Sequence, residues 1–197
     1  MPTKFLLVLG WLLTMQQPVT VRWVVSAASS LRVNGSTNIN TFACDIPRYG
    51  QTDTLLVIPA GGGGEIELKG RTSLRIGLFD CHNAIMTSDL RKTLREEQYP
   101  QLCIRFVSLA RLPVPGEGPQ TVKGMVDIEL AGVSRQMELT YQVSGKGAQA
   151  FCLTGMRDVN FSDFGLKAPR KLGGMIRTND RLSIEFLLQL SVIQPAR

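Results

Sequence analysis

His82 is the only histidine in this 197-residue chain, and it directly follows Cys81. A nucleophile and base of that kind need a third group that orients the base, and no neighbour in sequence supplies it. One histidine also rules out a metal site built on two of them. Asp163-Phe164-Gly165 spells the metal-binding tripeptide of protein kinases. The glycine-rich loop, strand lysine and catalytic-loop pattern that give the tripeptide its meaning are missing. Gly61 to Gly64 are followed by neither Lys-Ser nor Lys-Thr and open no helical pattern, so they read as a hairpin loop rather than a phosphate cradle. Lys167, Arg170 and Lys171 cluster without interleaved aromatic residues. That suits a solvated loop, with contact to anionic lipid head groups as the functional alternative, and not a nucleic-acid surface. The reading is of a chain that is not an enzyme and that uses no metal or cofactor.

Cys44, Cys81, Cys103 and Cys152 are even in number, widely spaced and without a C-x-x-C pair. They predict two disulfides, in any of three connectivities, and export to an oxidising compartment; four buried free thiols are the alternative. The N-terminus agrees with export. Lys4 precedes the apolar run "FLLVLGWLLTM", and "VVSAAS" offers small residues for cleavage after Ala27 or Ala28. Residues 1–28 are therefore expected to be a signal peptide and 29–197 one domain, with an uncleaved anchor as the alternative. Loss of Lys4 and Arg22 would lower the net charge from +6 to +4. With 44% apolar and 19% charged residues, the chain is neither disordered nor collagen-like.

Such candidates need a scaffold, and from Leu31 onward the scaffold is β. Short runs of period-two alternation recur between Gly, Pro, Asn and Asp punctuation, about eight in all, as in an antiparallel sandwich or barrel. Val122, Val126, Ile128 and Leu130 share one face, and Met137, Leu139, Tyr141 and Val143 share one face of the next run. Ala131 to Ser134 read as the tight turn between them. Leu182, Ile184, Phe186, Leu188 and Leu190 line one face of the last strand.

The exception is "MTSDLRKTLREEQYPQLCIRF", Met86 to Phe106, which predicts one charged helix, a stop at Pro100 and a strand. Thr87 or Ser88 can cap the helix. Met86, Leu90 and Leu94 form a narrow apolar stripe that must dock on something apolar for so short a helix to be stable. On a barrel, it would make a lid at one mouth.

Four segments in order resemble a known family: "VNGSTNINTFAC", "NAIMTSDLRKTLREEQYPQLCIRF", "VKGMVDIELAGVSRQMEL" and "VNFSDFGLKAPRKLGGMIRTNDRLSIEF". Together they are similar to the YceI-like, polyisoprenoid-binding family. The resemblance implies an all-β, antiparallel, eight-stranded, lipocalin-like barrel with one short helix closing an end. It also implies a periplasmic or secreted protein of a Gram-negative bacterium, and an apolar pocket for an isoprenoid or fatty-acid-like lipid. Asn38 stands where many members have histidine, and the four cysteines are a further departure. The inward faces supply the expected lining: Leu102, Ile104, Phe106, Val126, Ile128, Leu130, Met137, Leu139, Tyr141, Ile184, Phe186 and Leu188. The alternative is an envelope interaction module with a solid-packed barrel. Peripheral contact with a membrane and a homodimer stay open.

Overall fold

The computed structural model describes residues 20–59, 64–114, 118–145 and 149–193. The strands are β1 (Val21–Val25), β2 (Ser30–Ser36), β3 (Thr41–Ile46), β4 (Asp53–Ile58), β5 (Ile66–Arg75), β6 (Gln101–Leu109), β7 (Gln120–Leu130), β8 (Val133–Ser144), β9 (Ala150–Asn160), β10 (Arg170–Lys171), β11 (Ile176–Arg177) and β12 (Arg181–Ile193). Eight of them run β1-β4-β5-β6-β7-β8-β9-β12, and β12 pairs back onto β1, which closes an antiparallel barrel. Closure leaves each of the eight strands with a neighbour on both sides. The expected eight-stranded barrel with one short helix is the fold observed.

The best-patterned hairpin shows how the sequence builds it. Leu130 pairs with Val133 across Ala131 and Gly132, whose φ angles are 52° and 79°. Two consecutive left-handed residues make the turn whose twist matches that of the flanking strands. Register then carries Val126 opposite Met137 and Gly124 opposite Leu139, so the apolar faces of both strands point inward together.

β1 and β2 run along the same edge of β12. β2 pairs with Ser183 to Leu187, and β1 with Leu190 to Ile193. Between them the chain kinks at Ser26 to Ser29, where Gln189 N donates to Ser29 Oγ at 3.0 Å. β1 continues the wall onto β4, whereas β2 carries β3 as an added ladder. Val21–Val25, which fall within the expected leader, form a wall strand. A cut after Ala27 or Ala28 would remove the strand that closes the barrel. The rest of the expected leader, residues 1–19, and most of the glycine run lie outside the described residues.

The barrel end formed by the start of β9 and the end of β12 is packed solid. Trp23, Val57, Leu109, Val122 and Phe151 are all buried, and the Trp23 and Phe151 rings meet edge to face at 5.0 Å.

At the other end lies the helix, α1 (Ala84–Thr93). Its cap is Asn83, whose Oδ1 accepts from Met86 N at 3.0 Å. Asparagine caps as well as serine or threonine, and Thr87 is used otherwise: its Oγ1 accepts from Cys81 N. The helix stops before Pro100 because Arg95 turns left-handed, at φ 56°; Pro100 instead leads directly into β6. Leu90 and Leu94 are buried and Met86 half-buried, as the stripe requires. Arg91 Nη2 fixes the helix by donating to the carbonyls of Gly77 and Phe79 at 2.6 and 2.9 Å.

Candidate apolar binding site

The barrel interior holds two apolar cavity lobes, of about 70 and 90 Å³. Each is several times the ~10–15 Å³ that a single water centre needs. Leu31, Ile104, Ile128, Val159 and Ile184 line both, so the lobes are neighbours along the barrel axis. The central lobe adds Phe106, Leu139, Tyr141, Phe186 and Leu188; the second adds Leu102 and Leu130 and lies under the helix. Of the residues expected to face inward, all but two border one lobe or the other. Val126 is fully buried in the packed wall, and Met137 is half-buried but lines neither lobe.

The helix stripe divides in the same way. Leu90 and Leu94 form part of the roof of the second lobe, whereas Met86 lies on the outer flank of the helix beside Ile85. The roof is wider than the helix. Phe79, Phe161, Phe164 and Leu166 complete it, all buried. Phe161 and Phe164 come from a short turn, Phe161–Phe164, that follows β9. Asn160 N donates to Asp163 Oδ2 at 2.7 Å, and Gly165 ends the turn at φ 64°. The kinase-like tripeptide therefore has a structural role: Asp163 caps, Phe164 plugs, and Gly165 supplies the left-handed exit. A turn this short has no period, so this second closing element was not legible in the sequence.

Polar groups at the cavity are few. Tyr49 is buried at its edge, where its hydroxyl accepts from Ser73 N at 2.9 Å and donates to Asp53. Burial, together with the Asp53 carboxylate, raises its pKa. The Tyr141 ring meets Phe186 edge to face at 5.5 Å. Burial alone raises the Tyr141 pKa, and its hydroxyl has no hydrogen-bond partner among the described residues.

His82 is exposed, and its Nε2 sits 2.9 Å from Asp45 Oδ2; Arg32 Nε reaches Oδ1 of the same carboxylate at 2.6 Å. These contacts hold Asp45 below the usual carboxylate range, with the Arg32 hydrogen bond as the largest cause. Cys81, beside His82, is in a disulfide with Cys44 that ties β3 to the segment before the helix. Two disulfides were expected, and the structure has this one. Cys103 and Cys152 are free, because they stand on the outer faces of β6 and β9, which are separated by two strands. Asn38 does not reach the cavity either. It accepts from Arg177 N and donates to the Met175 carbonyl, both at 2.9 Å, which pins the β10–β11 segment. Among the described residues no three His, Cys, Asp or Glu side chains converge on a metal position, and no helix is long and apolar enough to cross a membrane.

This architecture recurs in solved structures. A polyisoprenoid-binding domain from Saccharophagus degradans superposes with a TM-score of 0.65 at 15% identity, over 88% of this chain and 98% of that one. BcnA of Burkholderia cenocepacia gives 0.61 at 12% identity, over 86% and 99%. A variant of Campylobacter jejuni YceI with a monobromobimane guest gives 0.52 at 13%, over 74% and 82%. The chain has the YceI-like fold. Neither a protein-family model nor a curated protein sequence matches it. At such low identity the YceI-like likeness is one of backbone, and the cavity must be read from this chain's own side chains.

Proposed function

We propose that this protein binds a single-chain lipid, an isoprenoid or a fatty-acid-like molecule, with its tail in the barrel, and that it acts as a carrier or sequestering protein rather than an enzyme. The observation that carries this reading is the pair of adjoining apolar lobes under the helix and aromatic roof. Apolar space of that kind excludes water and rewards an apolar guest. The YceI-like fold, found also in a domain described as polyisoprenoid-binding, supports the same reading. A location outside the cytoplasm, periplasmic or secreted, fits the Cys44–Cys81 disulfide.

The energetics set a scale. Burying about ten methylenes at roughly 0.8 kcal/mol each yields on the order of 8 kcal/mol before ordering costs, or about micromolar affinity at best. The lobes hold only a short stretch of chain as they stand, so a long isoprenoid requires the roof to yield. Native mass spectrometry of protein purified from its own host should detect a co-purifying lipid, and isoprenoids or fatty acids should displace an apolar fluorescent probe. Absence of both would overturn the proposal.

A further inference from the structure

β8 and β9 pair over only three positions, Gln142 with Thr154, Val143 with Leu153 and Ser144 with Cys152. Both strands continue well beyond, β8 back to Val133 and β9 on to Asn160, yet no further rung joins them. Each stays paired on its other edge, to β7 and to β12. The strands stay close as far as Thr140 and Gly155, and the wall parts between them beyond that point, toward the helix end. At the helix end the parting is spanned by Arg135 Nε, which donates to the Asp163 carbonyl at 2.7 Å.

Continued register would set Leu139 opposite Arg157, and both line the central lobe. Arg157 pairs with Ile184, so it belongs to the inward face. Yet it is exposed, as only a residue at an opening can be. The inward-facing Ile128, Met137 and Ile184 are only half-buried as well, unlike their counterparts at the solid end. Among the described residues Arg157 is the one charged residue lining either lobe, and it makes no hydrogen bond or ion pair there, acting on Asp158 only through its charge. Its neighbour Asp158 is engaged by Arg181 on the outer face.

We propose that the parting of β8 and β9 is a side entrance to the cavity, and that Arg157 holds the anionic head group of an amphiphile whose tail lies in the central lobe. This rests on the lipid-binding reading and adds the chemistry of the head: a carboxylate or a phosphate monoester. A guanidinium offers either one paired, charge-assisted hydrogen bonds. An uncharged alcohol gains little from it.

The test measures binding of four probes to the full chain by fluorescence displacement: hexadecanoate, hexadecanol, farnesyl monophosphate and farnesol. The wild type should bind the anionic member of each pair about tenfold or more tightly than its alcohol. Arg157→Gln should remove that preference while leaving alcohol binding within about twofold, and Arg157→Lys should restore part of it. A preference for hexadecanoate alone would assign the head to a carboxylate, and for farnesyl monophosphate alone to a phosphate. If anions and alcohols bind equally, or Arg157→Gln affects both alike, the head-group site is wrong while lipid binding stands. Binding of none of the four overturns both readings.

Discussion

The ring of Phe186 lies across Gly155, its partner on the neighbouring strand, so closely that a Cβ at position 155 would stand 2.4 Å from Phe186 Cζ. On its other side the same Cβ would meet the Thr140 carbonyl at 2.6 Å, and backbone cannot withdraw as a side chain can. Gly155→Ala should therefore cost about 1–3 kcal/mol of overpacking strain. Urea unfolding measures it. Phe186→Leu in the same chain should recover only the part of the loss that belongs to the ring.

The roof over the second lobe gives a cavity prediction. Leu90→Ala or Leu94→Ala should destabilise by about 2–5 kcal/mol, because each removes buried methyl groups above a space that is already underfilled. A charge at either position should cost more and should speed probe release in stopped-flow experiments. The same change at exposed Ile85 should be close to neutral.

Tyr141 predicts the opposite sign. It lines the apolar central lobe and its hydroxyl has no protein partner among the described residues, and a polar group left unmatched in an apolar space is a cost. Tyr141→Phe should leave the ligand-free protein as stable or up to about 1 kcal/mol more stable by thermal unfolding.

The Cys44–Cys81 bridge closes a loop of sequence separation 37. In the chain-entropy treatment such a loop corresponds to about 4 kcal/mol. Cys44→Ser with Cys81→Ser should lower stability by up to that amount. The largest rise in amide exchange should fall in β3, which pairs only with β2 and is otherwise held by the bridge and the Asp45–Asp80 contact.

Asp45 makes stability depend on pH. Its folded value lies below its unfolded value of about 4. The contribution is thus complete above that pH and fades as pH falls through the lower folded value. Arg32 and His82 are largely in solvent, so the loss should stay below about 1 kcal/mol. Asp45→Asn should flatten the stability curve in that acidic window and leave it unchanged near neutrality beyond a constant offset.

The barrel was legible because its strands keep strict alternation where one face meets the core. From Val122 to Val143 the period alone identified the hairpin, its turn and its inward face. The helix stripe was legible for the same reason, since Leu90 and Leu94 have no other way to leave water. β1 was hard to read because an apolar run followed by small residues has the composition of a leader, and in "VRWVV" Arg22 alone marks the outer face. The roof residues of "NFSDFGL" were hidden because a short turn has no period to read. Arg157 was invisible in principle. An arginine on an inward position breaks the alternation, and only pairing that stops after three rungs gives it an exit to solvent.

The meeting of β1 and β12 has a consequence for how the molecule forms. The two strands that seal the ring lie nearly the whole sequence apart, so their contact has among the largest loop-closure costs in the fold. A chain emerging from its N-terminus can complete the meander from β4 to β9 before β12 exists, but until then β1 has β4 alone and one side of it stays unpaired. Such a waiting edge invites pairing with another copy. Folding should therefore be slow in its last step and most prone to aggregation just before it. A chain truncated ahead of β12 should aggregate rather than fold.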